Sequence, residues 1–423
     1  MLAAAGLVAA CTGGSAGGPA VTTSTAVSTP SPPTTVRQRR AGPLRFGVVL
    51  PLTGTAAAFG VPLIAGIDLA VQQVNDAGGV NGEPMVKVTV IDEGKDLETV
   101  GQQILDGALD FIVGPASSTS ALAISETVNQ AQVVTCTPTA GGVALTRFGN
   151  RYLFRTIPSD ALEGAALAIA VGASGLGSSG PDPVAVLYPD DDYGRAVEAR
   201  FRSQLNQQAA QVVSSAPYDA EATVAELDAI AGRAVGAEPT VVVVIGLPDG
   251  GGRMLSRLRN APGFSRIDRV YVSSPMRQPT LFDKVAPGKA DALLDVFGVS
   301  PLADPLLPRF SAALTEARPD AGIAYASYAY DCVNLIALAA AAAKSNDPRV
   351  FRDRLGEVSQ LGAPCENFRE CAARLAGNDN INYEGVSGPA DIDANGDVTA
   401  ARYELFTFDA SGRDVRKYDF PVP

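Results

Sequence analysis

The feature that most limits the fold is a regular alternation of helical and extended patterns joined by short turns. Between residues 60 and 77 the apolar positions Leu63, Ile64, Ile67, Ala70, Val71 and Val74 recur at spacings of three and four, one face of a helix. Gly78 and Gly79 then supply a left-handed stop, and Val86, Val88 and Val90 alternate with polar neighbours as in a strand. Upstream, LRFGVVLPL (44–52) is another strand, so the unit is strand, helix, strand. It recurs as a helix over 96–109, a strand in DFIVGP (110–115), a helix over 118–131 and a strand in VVTCTP (133–138). A second series follows LFRTIPSD (153–160). The helical run ALEGAALAIAVGA leads to strand PVAVLYP (183–189), a helix over 193–208, strand QVVSSAPY (211–218) and a helix over 224–235. TVVVVIG (240–246), a helix over 252–260 and RVYVSSP (269–275) continue the pattern. Such alternation predicts an α/β fold of two doubly wound parallel-sheet lobes, with helices on both faces of each sheet.

Composition excludes several functions. The 423 residues, 46% of them apolar, suffice for two cores. The net charge is −12, and Arg37, Arg39 and Arg40 precede the folded part, so nucleic-acid binding is not expected. The chain has no histidine, which removes Ser-His and Cys-His nucleophile pairs, His-containing zinc sites and a histidine base. An enzyme would need a carboxylate pair, a Ser-Lys arrangement or a bound cofactor, and no spacing nominates one. No enzyme activity and no cofactor are expected. The one G-x-G-x-x-G, at Gly175, Gly177 and Gly180, follows a helical run and is closed by Pro181, which describes a loop rather than a dinucleotide fingerprint.

The segment LVAAC (7–11) carries small residues before Cys11 and ends a short apolar stretch, resembling a bacterial lipoprotein signal with its lipidated cysteine. Residues 1–11 would be the signal region and 12–43, rich in Gly, Ser, Thr and Pro, a disordered tether. Anchoring at the outer face of the cytoplasmic membrane follows. No later run reaches the roughly 20 uninterrupted apolar residues of a membrane span; residues 323–343 come nearest, interrupted by Asp331 and Asn334. In an oxidising compartment Cys365 and Cys371, flanking ENFRE, read as a local disulfide. Cys136 and Cys332 lie in apolar contexts and are either buried thiols or a second bridge. Neither spacing suits a metal site.

FGVVLPLTG, AGIDLAVQQVNDAGGVNG, FIVGPASSTSALA, TPTAGGVALT, YLFRTIPSD, DDDYGRA and YEGVSGPADIDANGDV occur in an order and spacing that resembles the branched-chain amino-acid type of ABC-transporter solute-binding protein, over nearly all of residues 44–423. The resemblance implies a monomeric, hinged, non-catalytic binder that closes on a small solute and delivers it to a membrane permease with its ATPase. A sensor of the same fold, acting in signalling, is the alternative. It also implies three crossings between lobes, near 157–160, 297–301 and 388–392. Lobe one would then hold 44–157 with 298–389, and lobe two 158–297 with 390–423. The C-x₅-C spacing before NYEGVSGP further supports the Cys365–Cys371 pair.

Ser118 follows a strand and opens a helix, where a hydroxyl and backbone N–H groups favour a carboxylate; helix capping by Ser117 or Ser118 is the plain alternative. By the resemblance Thr139, Ala140 and Gly141 form a second contact segment. Phe59, Tyr193 and Tyr325 offer rings, and Ser117, Leu247 and Ser274 complete the candidate set. Two departures from the family pattern stand out. A threonine common at the Gly141 position is missing, and no carboxylate lies between Val270 and Phe282 to pair with a ligand ammonium. Unless Asp191, Asp192 or Asp249 supplies one, the solute is open among an amino acid, a small amide and an amine-free carboxylate. DIDANGD (391–397) mimics a calcium loop but has Arg402 at the twelfth position, so a turn at Asn395-Gly396 is expected. The acids of YPDDDYG read as a helix start rather than a metal cluster.

Overall fold

The computed structural model describes residues 42–422 apart from 55–56, 96, 148–151, 174–180, 208, 279, 302–306, 324 and 400. Cys11, nearly all of the tether and the Gly175–Gly180 motif fall outside the described residues. The first series gives β1 (Leu44–Leu50), α1 (Ala57–Asp76), β2 (Met85–Asp92), α2 (Leu97–Asp106) and β3 (Phe111–Val113). α3 (Ser118–Ala131), β4 (Val134–Thr137), α4 (Val143–Arg147) and β5 (Leu153–Arg155) follow. The five strands form a parallel sheet in the order β2-β1-β3-β4-β5.

The second series starts with α5 (Asp160–Gly172) and β6 (Asp182–Pro189), α6 (Asp192–Gln204), β7 (Ala210–Tyr218) and α7 (Val224–Gly236). It continues with β8 (Val241–Val244), α8 (Pro248–Asn260), β9 (Arg269–Val272), α9 (Leu281–Val285) and β10 (Val296–Pro301). The chain then returns to the first lobe through α10 (Leu307–Ala317), α11 (Ala326–Ala343), α12 (Pro348–Phe351) and α13 (Leu355–Val358). A small sheet from β11 (Ala363–Cys365), β12 (Ile381–Gly385) and β13 (Gly388–Pro389), with α14 (Phe368–Ala376) between its first two strands, ends that excursion. Finally β14 (Ala401–Phe408) and β15 (Asp414–Val422) form a hairpin that adds antiparallel to β10, completing a seven-stranded sheet in the order β15-β14-β10-β9-β8-β6-β7.

Both sheets therefore reverse strand order once, between β1 and β3 in the first and between β6 and β8 in the second. The loops leaving the carboxyl ends of those strands border the crevices where such sheets take ligands. The first core is built on α1 and α11, where Ile67, Val74, Val333 and Ile336 are all fully buried. The two helices approach so closely that a Cβ on Gly66 would lie 2.2 Å from the Ala326 carbonyl oxygen, so only glycine fits. α11 is long and apolar enough, by length and composition, to cross a membrane, but 83% of that stretch is buried inside the protein. Its polar interruptions are structural. Asp331 accepts from the Tyr383 hydroxyl (2.6 Å) and from the backbone N–H groups of Val386 (3.1 Å) and Ser387 (2.6 Å), fastening the small sheet to the helix. Burial still pushes its carboxyl up to about 6.

Three details differ from the sequence pattern. Val86, Val88 and Val90 lie in a strand but are 40%, 37% and 43% exposed, because β2 is a sheet edge whose buried contribution is Met85 and Ile91. α8 starts four residues before the expected position 252, since Gly250 to Gly252 are buried against Ala220, Met276 and Lys284 and belong to the helix. Asp391 to Asp397 form a turn: Asp393 N–H donates to the Asp397 carbonyl (2.8 Å) and the Asp393 carboxylate accepts from Asn395 N–H (2.8 Å).

Cys136 of β4 is bonded to Cys332 of α11, and Cys365 to Cys371. The first bridge closes 196 residues and the second 6, so loop-closure entropy makes the first more stabilising. The C136A/C332A double variant is expected to lose about 2–5 kcal/mol in denaturant unfolding, and C365A/C371A distinctly less. Equal losses would contradict this assignment.

Candidate functional site

At the switch point of the first sheet the chain leaves β3 through Gly114, whose φ is +112° and whose Cβ would lie 1.8 Å from the Val49 carbonyl oxygen. The next residues enter α3. Ser117 is the N-cap: its Oγ accepts from Ser120 N–H (3.1 Å) and pairs with Ser120 Oγ (2.8 Å). Ser118, in the first helical position, is thereby released from capping. Its Oγ accepts from Gly142 N–H (2.9 Å), and its hydroxyl hydrogen has no acceptor among the described residues. Thr139 donates its hydroxyl to the Ala116 carbonyl (2.8 Å), and Thr137 Oγ1 accepts from Ala140 N–H (3.0 Å), so the 114–118 and 139–142 loops are stitched together. Glu93, beyond β2, accepts from Ala116 N–H (2.7 Å). Burial nonetheless pushes its carboxyl up to about 7.

Arg155 fixes this platform. Its fully buried guanidinium donates to the carbonyls of Gly141 (2.9 Å) and Gly142 (3.1 Å) and to Thr146 Oγ1 (2.7 Å), while Nε lies 2.7 Å from Asp397 Oδ1. Asp160 N–H donates to the Gly141 carbonyl (2.9 Å), and a Cβ on Gly141 would lie 2.2 Å from Asp160 Oδ1. A side chain at position 141 would have to displace the Asp160 carboxylate, which favours the glycine found there.

From the second lobe, α5 brings Asp160 and Glu163 to the same place. Glu163 is 5% exposed; its carboxylate accepts from the Tyr193 hydroxyl (3.0 Å) and from Ser274 N–H. Two sequence candidates are thus joined by a residue that sequence reasoning missed. Its apolar helical context disguised it, although an acid amid ALEGAALA was itself a signal. Burial pushes Glu163 up; Asp160 reaches about 7, again through burial first and then through the neighbouring charge of Glu163. Neither forms an ion pair with Lys or Arg among the described residues. The three acids nominated from sequence are otherwise engaged. Asp191 caps α6 by accepting from Gly194 N–H (2.8 Å), Asp192 pairs with Arg195 at 93% side-chain exposure, and Asp249 pairs with Lys284 at 81%. Leu247, 58% exposed, precedes α8 in the loop after β8.

Tyr325 adopts φ +58° at the start of α11, with its ring 6.1 Å from that of Phe59 and 6.1 Å from that of Tyr328. Burial, then the charge of Glu163, holds its phenol up at about 12. Ser118, Thr139, Ala140 and Gly141 form one connected group and Tyr193, Ser274 and Glu163 another, and Asp160, whose N–H donates to the Gly141 carbonyl, stands three residues before Glu163 on α5. Among the described residues no group of three or more potential metal ligands occurs.

Glu93, Asp160, Glu163 and Asp331 all have folded-state pKa values above their unfolded ones. Their protonated forms are preferred in the fold, so their contribution to stability is complete below about pH 4 and, for Glu93, Asp160 and Asp331, is lost as pH rises through 6 to 7, Glu163 acting in the same direction. The unliganded protein is expected to lose about 1–3 kcal/mol of stability between pH 5 and pH 8 in calorimetric unfolding. A midpoint that is flat or rises over that range would contradict it.

Residues 43–413 match the family described as periplasmic binding protein. A Leu/Ile/Val-binding protein homolog of Brucella melitensis is 32% identical over 165 residues, 38% of this chain and 44% of that relative, so the chain spans less than half the length of that relative. A branched-chain amino acid transporter substrate-binding protein of Streptococcus pneumoniae, solved with isoleucine, superposes with a TM-score of 0.68 at 20% identity, covering 90% of this chain and 99% of the other. A solute-binding protein of R. palustris, solved with 4-hydroxybenzoate, gives 0.70 at 17% identity, covering 90% and 98%. At such identities the two structures speak for the fold: type I, with two α/β lobes of parallel sheet. The family match extends over most of the chain, which belongs to the periplasmic binding protein family.

Proposed function

We propose that the protein is the extracytoplasmic solute-binding component of an ABC importer, holding a small carboxylate-bearing solute between the strand-end loops of its lobes and delivering it to the permease. The observation that carries this reading is the state of Ser118. Its oxygen is oriented by Gly142 N–H, its hydrogen has no acceptor among the described residues, and it stands in the first turn of α3, where the helix dipole favours an anion. Gly141 and Gly142, held by Arg155, present backbone beside it. Phe59, Tyr325 and Tyr193 offer rings for the apolar part of the solute. One relative described as Leu/Ile/Val-binding and one structure solved with 4-hydroxybenzoate support a carboxylate-bearing solute.

The lobes divide after β5, after β10 and at 398–401 in this proposal, because Val398 packs in the first core and Ala401 in the second. The third crossing thus lies past the 388–392 implied by resemblance. Lipidation at Cys11, a tether long enough to reach a membrane permease, and action as a monomer belong to the same proposal. A turnover reaction is not part of it.

A thermal-shift screen over amino acids, amides and small aromatic and aliphatic acids is expected to single out one class, with stabilisation growing as RT ln(1 + [L]/Kd). S118A should weaken that ligand by about tenfold or more, the worth of a hydrogen bond to a charged group, while the unliganded midpoint falls only by the loss of the Gly142 N–H hydrogen bond. A screen without response, or an S118A protein that binds as well as the parent, refutes the reading.

A further inference from the structure

We infer that the buried Cys136–Cys332 bridge positions the solute site as well as stabilising the first lobe: with the bond closed the strand-end loops hold the solute tightly, and with it reduced the folded protein holds the same solute weakly. This rests on the capture reading above and gives that site a covalent support.

The bond lies where the loops of the first sheet converge. Cys136 is in β4, between β3 and β5, and its carbonyl accepts from Gly114 N–H (2.8 Å), the glycine through which the chain turns toward Ser118. Thr137, the next residue, donates its hydroxyl to the Pro115 carbonyl (2.6 Å), and the same oxygen accepts from Ala140 N–H (3.0 Å). The Thr137 carbonyl accepts from Thr156 N–H (3.3 Å), at the first crossing between lobes. A shift of Cys136 is therefore a shift of the 114–118 loop, the 139–142 loop and the crossing segment together. Cys332, the other half of the bond, belongs to α11. Thr156 donates its hydroxyl to the Tyr328 carbonyl (2.9 Å), and its oxygen lies 3.5 Å from Cys332 Sγ. Tyr325, one of the candidate rings, stands at the start of the same helix, about two turns before Cys332. Asp331, beside Cys332, fastens that helix to the small sheet, so α11 is the fixed body against which β4 is set.

β4 is four residues long, and single hydrogen bonds tie it to the loops it carries. A covalent bond between β4 and α11 forbids the two to slide past each other, which apolar packing only resists. A site held in its binding geometry before the solute arrives loses less freedom on binding, and that gain is read mainly in slower dissociation. Cys136 and Cys332 are 2% and 0% exposed, so the bond is kept from solvent thiols while the lobe stays folded. The second bridge supplies the contrast. Cys365 lies in β11 and Cys371 in α14, and neither element carries a candidate solute contact.

The test compares Kd and dissociation rate for the compound that gives the largest shift in the thermal-shift screen, with L-leucine and benzoate carried as fixed probes. The C365A/C371A protein, which keeps only the long bridge, is measured oxidised and again after dithiothreitol treatment in mild denaturant, followed by removal of the denaturant with the reductant retained. Two electrons and two protons then pass to the Cys136–Cys332 bond, leaving two thiols, while dithiothreitol becomes its cyclic disulfide. Measurements are made at a temperature where circular dichroism shows every form folded. The oxidised C365A/C371A protein is expected to bind within twofold of wild type, and its dithiol form at least tenfold more weakly, through faster dissociation. C136A/C332A should match the dithiol form and be insensitive to reductant, and C136V/C332A, which restores apolar volume without the bond, should stay weak; either variant carries the comparison if the dithiol form fails to refold. Equal affinity of oxidised and dithiol forms, full recovery in C136V/C332A, or an equal loss in oxidised C365A/C371A would show that the bond only stabilises the lobe, and solute capture would stand without this inference. No binding by any form in the screen or with the fixed probes would remove capture itself, and this inference with it.

Discussion

A fully buried guanidinium organises the region where the chain first passes from one lobe to the other. Arg155 ends β5, and its charge is neutralised by Asp397, which closes the turn over 391–397. Between these two residues the guanidinium gathers the carbonyls of Gly141 and Gly142, so one side chain fixes both a strand-end loop and the turn over 391–397. Removing either partner would leave an uncompensated buried charge, which is far more damaging than losing a surface ion pair. The backbone cooperates: Arg155 N–H donates to the Gly396 carbonyl, and a Cβ on Gly396 would lie 2.3 Å from the Leu153 carbonyl oxygen. That close contact, rather than calcium, is why the DIDANGD segment has its glycine.

On this platform the distribution of charge is uneven. The Ser118 side offers a hydroxyl and helical N–H groups, while the α5 side offers two carboxylates with no ion pair among the described residues. Such an arrangement has polarity built into it, and burial raises the pKa of both acids, favouring their protonated forms relative to water. The rings of Phe59 and Tyr325 lie 6.1 Å apart in a tilted arrangement, a common geometry for aromatic pairs.

The alternation of helix and strand was legible because parallel strands covered on both faces read as apolar runs, and TVVVVIG and PVAVLYP are plain examples. The boundaries of α3 follow directly from Ser117 and the end of its apolar pattern. The C-terminal hairpin was not legible: β15 is largely exposed along an edge, so its sequence lacks a buried face to recognise. Pairing of Cys136 with Cys332 also depended on tertiary packing of β4 against α11, which no spacing encodes. Among the proposed site residues, Ser118 was nominated from its position after a strand. Glu163 was missed because an acid within an alanine-rich helix carries no positional signature, and only the approach of Ser274 and Tyr193 gives it a role. Exposed Asp192 and Asp249 were more conspicuous in sequence and are surface ion pairs.

The central claim is that one small molecule lies between these two sets of atoms. A crystal structure of the protein grown with the solute that stabilises it most tests this directly. The account predicts ligand density touching Ser118 Oγ and the 141–142 backbone on one side and Tyr193 and Glu163 on the other. Density confined to the surface groove lined by Arg352, Leu361 and Asp393, with the Ser118–Glu163 region filled only by water, would contradict it.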